Sequence, residues 1–145
     1  MKKTKGFTLI ELLAVIVILA IIALIATPII LKVVDDANKG AFRNSAYGIA
    51  NAAEFEFAKE TLKNTKASEV AFIYVNGVES SNPAGRKLDY KGNVPQNGVI
   101  LVNYEGKVAM ALYNGKYCAE KGYNDVSVVL TEKTLEECEQ TLRAD

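Results

Sequence analysis

Three groups of residues in this chain have types and spacing that could do chemistry. The first is the run Lys2-Lys3-Thr4-Lys5-Gly6-Phe7-Thr8-Leu9-Ile10-Glu11, which passes directly into an apolar stretch from Leu12 to Leu31 broken only by Thr27-Pro28. A carboxylate at the edge of such a stretch is unusual, because a charged acid at the centre of a membrane helix costs about 2.5–3.5 kcal/mol. Glu11 therefore needs a partner. If the peptide bond between Gly6 and Phe7 is cut, the new amine on Phe7 lies four residues before Glu11, one turn away on the same helix face. Before such a cut, the orphan N–H groups and the macrodipole of the helix start compensate only in part.

The second group is the cysteine pair, Cys118 and Cys138, the only two in the chain. They are too far apart for a redox C-x-x-C motif. In an oxidising compartment they would close a loop of about 20 residues, stabilising a small domain by roughly 3 kcal/mol; two free thiols are the alternative. The third group is charged. Glu132, Glu136, Glu137 and Glu139 could be read as a cation site or as one solvated helix face, and Arg86-Lys87 with Tyr90-Lys91 as a nucleic-acid contact or a solvated loop. The solvated readings carry fewer assumptions, so no metal site, cofactor or strong nucleic-acid signal is assigned. The chain has no His, which removes the commonest general base and metal ligand, and it has no Gly-rich phosphate loop. No catalytic residue is assigned, and the chain reads as a protein that is not an enzyme.

Positioning these groups falls to a long helix and a sheet. Phe42, Ala46, Ile49, Ala53 and Phe57 recur at steps of four and three, the stripe of an amphipathic helix, and no Pro lies between Pro28 and Pro83. The pattern predicts one helix from about Phe7 to about Asn64, over 80 Å long at ~1.5 Å per residue, apolar first and amphipathic second. Pro28 lacks an N–H and crowds the carbonyl of Leu24, so a kink or local melting is expected there. The polar stretch Lys63 to Glu69 joins helix to sheet.

Strand patterns follow. Val70 to Val75 runs into Asn76-Gly77, Val108 to Tyr113 into Asn114-Gly115 and Lys116-Tyr117-Cys118, and Val99 to Tyr104 meets Lys107 to Tyr113 across Glu105-Gly106. Asn-Gly between apolar runs is a strong hairpin signal. The fold class is thus α+β, with an antiparallel sheet of about four strands packed on the Phe42/Ile49/Phe57 stripe. Ser80 to Gly98 reads as an irregular loop and Val126 to Leu130 as a last strand. Thr134-Leu135-Glu136-Glu137 has capping-box spacing for a short C-terminal helix carrying Cys138.

The apolar run is about 20 residues, long enough to span a bilayer, and exceeds the 7–15 residues of a secretory signal core. Lys2, Lys3 and Lys5 precede it and Asp35-Asp36 follow it, which orients the N-terminus toward the cytoplasm. The net charge of zero hides a split: without those three lysines, 14 of the 17 Lys+Arg remain against 17 Asp+Glu. A polyanion-binding bias does not follow.

The segment Gly6-Phe7-Thr8-Leu9-Ile10-Glu11-Leu12-Leu13 resembles the class III signal of type IV pilins and pseudopilins, and the likeness extends over roughly Lys5 to Pro28. The resemblance implies the pilin fold, cleavage between Gly6 and Phe7 by a prepilin peptidase, N-methylation of Phe7, and use of Phe7 and Glu11 in filament assembly. It implies that the helix can lose regularity near Pro28 on packing, and a C-terminal disulfide such as Cys118–Cys138 suits many pilins. The expected divisions are a leader at 1–6, a membrane and filament-core half-helix at 7–31, an amphipathic half-helix at 32–63 and a globular β head at 64–145.

The implied function is a structural pilus subunit. It would be held in the cell membrane as a precursor and polymerised with itself by an inner-membrane assembly platform into an extracellular filament for adhesion or twitching. The alternatives are a pseudopilin of a type II secretion or DNA-uptake machine, whose major forms typically carry a calcium loop without a disulfide, and a membrane-tethered binding domain that never polymerises.

Overall fold

The computed structural model describes residues 5–63 and 68–143. Lys2 and Lys3 of the leader, Asn64 at the expected helix end and most of the polar connection to the sheet lie outside the described residues. The chain divides into two compact units, Met1–Asn38 and Lys39–Asp145. A single helix, α1 (Leu9–Lys63), supplies the first unit and opens the second.

Within the first unit the apolar side chains of α1 meet no core. Leu12, Ile18, Ile22, Ile25 and Leu31 are 56–64% exposed. The helix continues without interruption through Pro28, and the Thr27 hydroxyl donates to the carbonyl of Ala23 at 2.7 Å.

In the second unit the same helix turns apolar on one side only. Phe42, Ala46, Ile49, Ala50 and Ala53 are 0–3% exposed, and Phe57, the last member of the predicted stripe, is partly buried against the same core. They pack on a sheet built from β1 (Val70–Val75), β2 (Val78–Asn82), β3 (Asn97–Val102), β4 (Val108–Tyr113), β5 (Tyr117–Lys121) and β6 (Val129–Glu132). Every pairing is antiparallel, in the order β2-β1-β3-β4-β5-β6. Strand alternation sends Val70, Phe72, Tyr74, Ile100, Val102, Val108, Met110, Leu112, Tyr117 and Ala119 into the helix-side core. The other face carries Ala111 and Cys118, buried with Cys138 of the C-terminal helix α2 (Leu135–Gln140).

The sheet has six strands rather than about four. β2 reads Val-Glu-Ser-Ser-Asn and lacks apolar alternation; as an edge strand paired only with β1, it needs a buried face less than a central strand does. The irregular loop is consequently shorter than Ser80 to Gly98. The last strand begins at Val129 rather than Val126, whose side chain is 96% exposed, while Val128 turns into the core and its amide donates to the Tyr47 hydroxyl at 2.9 Å.

Polar side chains fix what lies between β2 and β3. The Glu79 carboxylate accepts from the Leu88 amide at 2.7 Å and the Tyr74 hydroxyl at 3.1 Å, and the Ser45 hydroxyl of α1 accepts from the Asn93 amide at 2.9 Å. Gly92, at φ 140°, passes so close to Ser45 that a Cβ there would stand 2.5 Å from its Oγ. The loop is thus held against the helix by a contact only glycine admits.

The C-terminal end is pinned in three ways. Cys118 and Cys138 form a disulfide with a Cα–Cα distance of 5.6 Å. Thr134 caps α2 in a full capping box, and the bonds from its amide and hydroxyl hold the Glu137 carboxyl below the usual carboxylate range. The Glu120 carboxylate accepts from Lys133 and from the Thr141 hydroxyl of the 3-10 turn η1 (Thr141–Arg143), joining β5 to both segments that follow. Replacing both cysteines (Cys118→Ser with Cys138→Ser) is expected to lower unfolding stability by about 3 kcal/mol. Thermal unfolding of the full chain in lipid nanodiscs checks this; an unchanged midpoint would show that the crosslink contributes nothing.

Candidate functional site at the start of the long helix

The first helical turn has an arrangement that an apolar run alone would not supply. Thr8 stands at the N-cap of α1, and its amide and hydroxyl both donate to Glu11 Oε2, each at 2.8 Å. In return the Glu11 amide donates to Thr8 Oγ1 at 3.3 Å, and the Leu12 amide donates to the Thr8 carbonyl at 3.2 Å. This is a capping box, with two N–H groups that would otherwise be orphaned satisfied reciprocally. The acid is also placed at the positive end of the helix macrodipole, where negative charge is favoured.

Sequence reasoning singled out Glu11 but not Thr8. The signal was present, since Thr-x-x-Glu before an apolar run is the pattern that located the start of α2. Helix α1 begins at Leu9, so Phe7 precedes the first turn and is 89% exposed. Glu11 is therefore engaged by Thr8, one residue nearer to the helix start than Phe7. Only Oε2 is used. No hydrogen bond to Oε1 occurs among the described residues.

Gly6 shows no fold-based reason for being glycine. A Cβ built there meets no atom within 4 Å, so no close approach of another segment requires its absence.

The remaining charged groups disperse. Arg86 forms an ion pair with Glu60 of α1 at 3.5 Å, and Tyr90 packs on the core, leaving Lys87 and Lys91 exposed. Glu132, Glu136, Glu137 and Glu139 are all exposed, and Glu137 is taken up by the α2 cap. Among the described residues, no group of three or more His, Cys, Asp or Glu is arranged to hold a metal ion.

Residues 1–27 match the family model of the prokaryotic N-terminal methylation motif. The start of the chain carries that methylation motif. The motif covers Gly6, Phe7, the Thr8–Glu11 cap and most of the apolar half of α1, and stops just before Pro28. No curated protein and no solved structure matches the chain. The α+β architecture, with one long N-terminal helix and an antiparallel sheet, is pilin-like in its own right.

The cap has a measurable signature. Thr8→Ala removes the hydroxyl and is expected to weaken the first turn by about 1 kcal/mol, roughly a fivefold rise in hydrogen exchange at the Glu11 amide, whereas Thr8→Ser restores protection. Exchange of the full chain in nanodiscs, read by mass spectrometry over 5–15, checks this. Equal exchange in all three proteins would show that the hydroxyl does not hold the turn.

Proposed function

We propose that this chain is the structural subunit of a type IV pilus. In this reading it is cleaved between Gly6 and Phe7, N-methylated at Phe7, retained in the membrane and then polymerised into a surface filament. The methylation motif supports the coarser part: a membrane-anchored precursor of the pilin and pseudopilin type, structural rather than enzymatic.

The observation that carries the finer part is the apolar half of α1. It is long and apolar enough to cross a membrane, and none of its most apolar 18 residues is buried within the chain. Each Leu, Ile or Val left in water forgoes about 1.5–3 kcal/mol, so this surface must be covered by lipid or by other copies of itself. Both are apolar environments of similar quality, and transfer from one to the other is possible without a large penalty. What distinguishes the polymer is register. A free amine on Phe7 of one copy facing Oε1 of Glu11 on another neutralises two charges at once, in surroundings where neither would be tolerated alone.

The capping geometry suits that role, because Thr8 occupies the other oxygen and orients the carboxylate at the apolar boundary. Prepilin peptidase, the assembly platform and the bilayer are the partners this reading requires. The C-terminal crosslink favours a pilin over a major pseudopilin.

Glu11→Ala is expected to be inserted and cleaved normally yet to yield at least about tenfold fewer filaments, the effect of losing one desolvated charge pair worth more than ~1.4 kcal/mol. Immunogold microscopy of intact cells with antibody to residues 68–143 reads this directly. In the unsubstituted protein, label should run along whole surface fibres. Label confined to the envelope would favour the pseudopilin, and a normal filament yield from Glu11→Ala would remove charge pairing as the register device.

A further inference from the structure

One face of the sheet is filled by α1, and the other is covered only in part. Between α2 and the outer face of β1, β3 and β4 lies a groove of about 350 Å³. Ile73, Val75, Val99 and Tyr113 line it from the strands, and Leu135 and Leu142 from the C-terminal segment; all six are partly accessible or exposed, Val75 by 53%. Its size lies at the lower end of ligand cavities, about 300–1,000 Å³, and suits one or two large side chains better than a cofactor.

The walls are rigid. Cys138 lines the groove and is crosslinked to β5, the capping box fixes the start of α2, and Glu120 ties Lys133 and Thr141 on either side of it. An occupant would therefore meet a formed site and lose little affinity to ordering it.

Charge decides what kind of occupant fits. Glu139 is the groove's only charged lining residue; it is exposed and has no hydrogen-bond or ion-pair partner among the described residues. Lys133, on the segment leading into α2, is committed to Glu120. An apolar slot whose one charged lining residue is acidic attracts an apolar group carried beside a positive charge and repels the same group beside a negative one.

We propose that this groove is a docking site for a peptide segment of another protein that presents an aliphatic or aromatic side chain next to Lys or Arg. The inference concerns the Lys39–Asp145 unit alone and stands whether or not the chain polymerises.

The test uses the full chain in zwitterionic nanodiscs and a fluorescein-labelled peptide with the core Lys-Leu-Phe-Lys. Binding is followed by anisotropy, and the signal from empty nanodiscs is subtracted. The expected result is saturable binding at least about tenfold tighter than for the Glu-Leu-Phe-Glu counterpart, with the preference reversed by Glu139→Lys. Val75→Thr, a near-isosteric change at an exposed position, is expected to weaken binding severalfold with an unchanged unfolding midpoint. Equal affinity for both peptides, indifference to Glu139→Lys, or no binding of the cationic peptide at ~1 mM would overturn the proposal. Self-association in sedimentation that Val75→Thr abolishes would likewise overturn it, by assigning the groove to a second copy.

Discussion

The structure depends on one helix being asked to live in two environments. From Leu12 to Leu31 its large side chains are apolar on every side and find nothing to pack against among the described residues. From Phe42 to Ala53 only one stripe is apolar, and the sheet buries it almost completely. Backbone hydrogen bonding is indifferent to this change, so α1 runs through it unbroken. Solvation is not indifferent. An all-round apolar helix is stable only where its surroundings are apolar too, and that requirement, not any contact within the chain, is what the apolar half of α1 imposes.

The second unit must then stand on little material. The sheet and loops that follow α1 are too few to bury much more than the stripe from Phe42 to Phe57, and domains of this size need reinforcement beyond their core. Reinforcement is concentrated where packing is thinnest. β6 has four residues and lies at a sheet edge, yet the segment after it is held by a disulfide, a capping box and the Glu120 cluster. At the other end of the sheet, β2 is polar, and Glu79 on it takes up both the Tyr74 hydroxyl and the Leu88 amide, anchoring the loop that crosses to β3. The same physics leaves the outer face of β1 and β3 half-open, because α2, with its six residues, cannot cover it.

Much of this was legible in the sequence, for reasons that can be traced residue by residue. The helix stripe and the turn at Asn76-Gly77, where φ is 50° and 78°, are local signals with few alternatives. The α2 cap at Thr134 is another. β2 escaped because an edge strand needs no apolar alternation, and β6 was displaced because Val126, apolar by type, is left in solvent while Thr131 and Glu132 join the ladder. Strand pairing across the β2 to β3 crossover depends on contacts such as Asn93 with Ser45, 48 residues apart, which no local pattern carries. At the functional site, the chemistry of Glu11 was readable and its immediate partner was not. A search for a counter-charge overlooked a neutral hydroxyl three residues away.

That omission bears on how the carboxylate works. A carboxylate with both oxygens satisfied by its own chain would be a structural cap and nothing more, and one with neither satisfied would be too costly to hold at the edge of a hydrocarbon segment. Glu11 sits between these limits. Oε2 accepts two hydrogen bonds from Thr8 and is fixed in direction, while Oε1 accepts none among the described residues and the net charge is not neutralised by Thr8 at all. Hydrogen bonds from neutral donors lower the cost of carrying the charge without removing the attraction that a cation would feel. A helix start built in this way can wait in a membrane as a monomer and still present a directed negative charge to an incoming amine.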